Sequence, residues 1–118
     1  MIYTSYFAKY RGENGVSIAR TQPTKNGEPY YPEMELLSPP KWLLQDYKSG
    51  DVTEQEFKHY YHNLVLRGLS PVAIGKALEG LVMLCWEKPG DFCHRHIVAD
   101  WLRKAGYEVK EWDKSDGV

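Results

Sequence analysis

The feature that most constrains this chain is the apolar run Leu81-Val82-Met83-Leu84-Cys85-Trp86, closed by Gly80 in front and Glu87-Lys88-Pro89-Gly90 behind. A run this short falls well below the roughly 18 apolar residues of a membrane span. It also lacks the polar alternation of a strand with one wet face, so it reads as a strand buried on both faces. The residues that follow restrict the fold further. Asp91 is placed to cap a helix in which Ile97, Val98, Trp101, Leu102 and Ala105 form one apolar stripe, and Gly106 stops it. Tyr107 to Trp112 alternates as a last strand. Strand, helix and strand within about 30 residues make a βαβ unit, which implies a parallel pair with a right-handed crossover. The expected fold class is α/β. A single small domain spans residues 1–118, with a mostly parallel sheet covered by helices and the βαβ unit at its C-terminal end.

Upstream, residues 2–6 are β-branched and aromatic and predict a short strand, and Val16-Ser17-Ile18-Ala19 predicts a second that ends at Arg20. Residues 21–33 hold Pro23, Gly27, Pro29 and Pro32 and read as a long loop without regular structure, a kind of segment that is more often functional than decorative. Ser38-Pro39 offers an N-cap and N1 proline for a helix ended by Gly50. Thr53-Glu54-Gln55-Glu56 is a capping box ahead of Phe57, Tyr60, Tyr61 and Leu64 at helical spacing. Ser70-Pro71 opens a further short helix to about Leu78.

Composition decides which partners are open to it. Fifteen Lys+Arg against sixteen Asp+Glu leave a net charge of −1. The whole molecule therefore has no electrostatic pull toward nucleic acid or an anionic membrane, although a local basic pocket remains open. Hydrophobic residues at 42% and aromatics at 14% give enough apolar surface for a packed core, which excludes a disordered chain. The opening Met-Ile-Tyr-Thr-Ser-Tyr lacks the basic-then-apolar pattern of a signal peptide. Two cysteines in a non-secreted chain point to the reducing cytoplasm rather than to a disulfide scaffold.

The residues best placed for chemistry surround the end of the apolar run. Cys85 closes the strand, Glu87 follows, and Cys93, His94 and Arg95 fall in the first turn of the next helix. Ligands of open α/β sheets bind outside the carboxyl ends of the strands. A helix N-terminus there offers free N–H groups and about half a positive charge. Arg95 adds a bidentate fork for an oxyanion, and a cysteine in such a place has its thiolate favoured. Plainer roles stay open. Cys85 can be a small buried hydrophobe, Cys93 a packed helix residue, Arg95 a solvated or structural charge, and Glu87 a turn residue.

This segment resembles the domain of unknown function 488 family, in which a buried strand ends in Cys-x-Glu and a turn leads to Cys-His-Arg at a helix start. Here these are Cys85-Trp86-Glu87 and Cys93-His94-Arg95, followed by Ile97-Val98-Ala99-Asp100-Trp101-Leu102. Tyr3-Thr4 and Val16 to Arg20 are similar to the family's opening strand and to a second strand ending in arginine, with Ser17 or Ala19 where an acidic residue is usual. The resemblance implies an α/β fold and a shared site without a settled activity. It also brings in Arg20, which would face one pocket with Arg95 if the two strands are parallel neighbours. Tyr3, Tyr6 or Tyr10 would then supply a stacking wall or, more plainly, core and rim aromatics.

Cys85, Cys93 and His94, with Glu87 or His96, can be read as metal ligands. His94 and His96 are two apart and do not share a helix face, however, and no Cys-x-x-Cys is present, so neither metal nor cofactor is expected. His59 and His62 share a face with nothing to complete a metal set. Glycine-rich nucleotide motifs are absent, as is the cysteine-to-arginine spacing of a thiol phosphatase loop. The leading expectation is a cytosolic pocket for a nucleotide-like or other phosphate-bearing small molecule, held by Arg20, Arg95 and the helix N-terminus. A thiol-dependent enzyme is the alternative, with Cys93 as nucleophile or redox thiol, His94 or Glu87 as proton partner and Arg95 as anion stabiliser. Association with single-stranded nucleic acid is a third reading, which the charge balance disfavours. A reversible Cys85–Cys93 disulfide and a homodimer through exposed aromatics both remain open.

Overall fold

The computed structural model describes residues 1–88 and 90–118, so Pro89 of the expected turn lies outside the described residues. The apolar run forms β5 (Val82–Cys85), with all four residues buried. It is flanked by β1 (Ile2–Tyr6) on one side and β2 (Gly15–Ser17) on the other, both parallel to it. β6 (Val109–Glu111) pairs with the far side of β1, giving the order β2-β5-β1-β6 with every pair parallel. The two strands of the βαβ unit are thus parallel but not adjacent. Burial explains the insertion. Ile2, Thr4 and Ser5 of β1 are all buried and suit a central slot, whereas Lys110 of β6 is exposed and suits an edge. Because all strands run one way, Tyr6, Ser17, Cys85 and Glu111 end at the same edge of the sheet.

The helices are α1 (Lys41–Ser49), α2 (Glu54–Leu64), α3 (Pro71–Leu78) and α4 (His94–Lys104). The Thr53 capping box and the Ser70 cap form as expected. Two helix starts differ from expectation. Pro40 takes the N-cap of α1, and Ser38 instead donates its hydroxyl to Ala19 O at 3.2 Å. Cys93 rather than Asp91 is the N-cap of α4, because Asp91 is drawn into the preceding turn, its N–H donating to Lys88 O at 3.1 Å. The segment 21–33 also contains structure. β3 (Thr24–Lys25) and β4 (Glu28–Pro29) form a small hairpin around Asn26 and Gly27, both at positive φ.

Residues from all four helices pack with Ile2, Val16, Met83 and Val109 into one core. The second cluster joins Val82 and Leu84 to Phe7, Tyr10, Tyr31 and Trp112, which come from loops. Helices therefore cover one face, and large aromatics roof the other. Trp42, Tyr60 and Leu64 remain exposed on α1 and α2, with the Trp42 and Tyr60 rings in edge contact. Among the described residues no helix is long and apolar enough to cross a membrane.

Candidate functional site

At the shared carboxyl edge, β5 delivers Cys85 and the start of α4 delivers Cys93, His94 and Arg95. The two sulfurs are in direct contact and form a disulfide. Arg95 is 0% exposed. Its Nη1 donates to Cys85 Sγ at 2.9 Å and also to the Glu87 carbonyl, and its Nη2 donates to Glu111 Oε2 at 3.2 Å. Glu111 accepts from Thr4 Oγ1 at 2.6 Å through its other oxygen, a bond permitted by the Thr4–Glu111 register of β1 and β6. The guanidinium also lies 5.8 Å from the Tyr6 ring centre. A buried guanidinium costs several kcal/mol unless it is paired and hydrogen-bonded. Here a sulfur, a carbonyl, a carboxylate and a ring face answer that cost, although Nε has no partner among the described residues.

His94 is buried, and its Nε2 lies 2.6 Å from Ile18 O. A carbonyl only accepts, so Nε2 carries the hydrogen and Nδ1 keeps a lone pair, which faces Cys93 Sγ at 3.9 Å. Burial pushes the His94 pKa down to about 4, with Arg95 and His96 adding to the shift and the Ile18 carbonyl opposing it. The ring is neutral at physiological pH, and Cys93, bonded to Cys85, has no hydrogen to give its Nδ1.

Cys93 separates two cavities. One of about 440 Å³ is bordered by Tyr47, Lys48, Glu54, Glu87, Asp91 and Phe92. The other, of about 280 Å³, lies between α2 and α4 beside His62, His96 and Trp101. Cys85 borders neither. Access to the pair therefore runs through Cys93.

The structure brings Cys85, Glu87, Cys93, His94 and Arg95 together, and leaves Arg20 outside. β2 and β5 are parallel neighbours as expected, but β2 ends at Ser17 and the chain turns away. Arg20 is exposed, with Nη1 3.4 Å from Pro39 O. The expected pocket shared by Arg20 and Arg95 does not form, because Arg95 is fully enclosed. Arg20 instead lines a groove of about 380 Å³ with Lys41 and Lys48. That groove shares Leu44 and Lys48 with the larger cavity at Cys93. Tyr6 lies under Arg95, and Tyr3 packs on the aromatic cluster, so both are half-buried supports rather than an open stacking wall.

A carboxylate oxygen of Glu87 and the two sulfurs all lie within 4.8 Å of one another. All three were among the metal-ligand candidates named from sequence and were set aside for want of a Cys-x-x-Cys turn; here the fold rather than such a turn brings them together. Glu111, Thr4, Lys41 and Lys48 were missed from sequence. The period of two along β6 put Glu111 on the side of Val109, and Lys41 and Lys48 lie seven apart on one helix face, so both signals were present.

No match to a curated protein or to a solved structure was found. The family described as a domain of unknown function, DUF488, matches residues 9–102, which include Arg20 and the entire Cys85-to-Arg95 segment. The chain belongs to the DUF488 family.

Proposed function

We propose that this protein carries out thiol–disulfide exchange with a small anionic disulfide, using Cys93 as the outer thiol and Cys85 as the inner one. The contact of the two sulfurs, of which Cys93 but not Cys85 borders the cavity, carries this reading. Reduced Cys93, at the N-terminus of α4 where the helix dipole favours the thiolate, gives its proton to solvent, and the Cys93 thiolate attacks one sulfur of the incoming disulfide. That bond breaks, one thiolate leaves, and a mixed disulfide remains on Cys93. The Cys85 thiolate, stabilised by Arg95, then attacks Cys93 Sγ and expels the second thiolate. The substrate disulfide gains two electrons and the Cys85–Cys93 pair loses two. Arg95 favours the reduced pair, because its charge is best answered by a thiolate at Cys85. Arg20, Lys41 and Lys48 provide positive charge beside the entrance for carboxylate or phosphate groups. The expected anionic ligand thereby keeps Arg20, with two lysines in place of Arg95.

Glutathione disulfide is a suitable probe. In a Cys85→Ser variant, mass spectrometry is expected to find glutathione trapped on Cys93. Wild type is expected to end as the internal disulfide with two glutathiones released. Reversing the charge at Arg20 and Lys41 should slow the first step about tenfold with this probe and leave an uncharged aromatic disulfide unaffected. Absence of the Cys93 adduct, or trapping on Cys85 alone in wild type, would refute the assignment.

A further inference from the structure

We infer that the reduced pair, together with Glu87, forms a site for one soft divalent cation of the zinc type, with its fourth position open to the larger cavity. The inference rests on the dithiol half of the redox reading and goes beyond it. Three observations converge on it. The first is the ligand set, since two sulfurs and a carboxylate oxygen within 4.8 Å of one another match the donors zinc takes.

The second is backbone spacing. The Cys85 and Cys93 Cα atoms stand 7.4 Å apart, wider than the roughly 4.4–6.8 Å of most disulfide-bridged pairs. A tetrahedral ion with bonds of about 2.3 Å to sulfur holds its two sulfurs about 3.8 Å apart, which suits the wider spacing.

The third is charge. Two thiolates and the Glu87 carboxylate carry three negative charges, and Arg95 at Cys85 returns one. A divalent cation neutralises what remains. Arg95 then donates to a metal-bound sulfur and, through the Glu87 carbonyl, fixes the backbone of the third ligand. The cavity side of the site is bordered by Glu87 and Cys93, which leaves the fourth position for water or a substrate atom. Disulfide and metal are mutually exclusive states of the same sulfurs, so oxidation releases the ion.

The test titrates Zn2+ into the reduced full-length chain against a chromophoric chelator, with Co2+ as a second probe for thiolate charge-transfer absorbance. One ion per chain is expected. Affinity should fall at least about a hundredfold in Cys85→Ser or Cys93→Ser, and about tenfold in Glu87→Gln. The last variant keeps the carbonyl that holds Arg95, so circular dichroism should show it folded. Oxidised protein should not bind, and reduction should restore binding. Absence of saturable binding by reduced protein, retained binding after oxidation, or unchanged affinity in Glu87→Gln would each overturn the site. Exchange with glutathione disulfide, run with chelator present, separates the two ideas. Exchange without zinc binding defeats only the metal site, and zinc binding without exchange defeats only the redox reading.

Discussion

Arg95 carries a full charge at zero exposure, and the site is organised around meeting it. The sequence placed this guanidinium near the pocket but did not show whether it points outward to a ligand or inward to a sulfur. That choice depends on Glu111 and Thr4, supplied by the strand order, and strand order is not encoded in any local pattern. Removing one partner of a buried pair costs more than removing both, because it strands a charge. Glu111→Ala should therefore cost about 3 kcal/mol in urea unfolding, and Arg95→Met of similar volume clearly less. Equal losses would mean that the pair is not felt as a buried charge. Arg95→Met should also shift the Cys85–Cys93 couple toward the disulfide in glutathione buffers, by roughly 30 mV for each 1.4 kcal/mol of lost thiolate stabilisation.

At the scale of elements, what could be read was local and what was missed was competitive. The Thr53 box and the Ser70-Pro71 start are self-contained signals and formed where expected. Asn26-Gly27 is an equally local hairpin signal, but the surrounding prolines masked it. Asp91 failed as a cap because a tight turn captured its N–H first. Gly75 inside α3 shows how packing overrides propensity. Replacing a helical glycine with alanine gains up to about 1 kcal/mol. A Cβ at Gly75 would run into the Tyr107 ring, which is tied down by a hydroxyl bond to Val72 O at 3.0 Å. Overpacking against a fixed ring costs about 1–3 kcal/mol, so Gly75→Ala should destabilise. In a Tyr107→Ala background the same change should stabilise. Urea midpoints of the four proteins decide it, and a stabilising Gly75→Ala in wild type would show that the ring yields.

For the whole molecule, a balanced net charge left any important positive charge to a few positions, and the fold sets these in different places. Arg95 is enclosed against the sulfurs, while Arg20, Lys41 and Lys48 line an open groove that adjoins the larger cavity at Cys93. Protonation of the core follows the same division. His94 packs against Tyr61, with ring centres 5.6 Å apart, and holds a pKa of about 4 in the folded protein. In the unfolded chain an ordinary histidine titrates near 6.5. Between these values the unfolded state binds the proton and the folded state resists it, so stability falls as pH drops from about 6.5 toward 4 and is flat above that window. His62 and His96 are shifted the same way, mainly by burial, and add to the trend. Most carboxylates are still ionised at pH 5, where His94 alone should have removed about 2 kcal/mol relative to neutral pH. Urea unfolding of the oxidised, metal-free protein at pH 7, 6 and 5 measures this slope. A His94→Gln variant keeps a donor for Ile18 O and removes the titrating ring. Its stability should change far less over the same range. A wild-type curve without slope, or a variant that keeps the slope, would mean that His94 does not resist protonation in the fold.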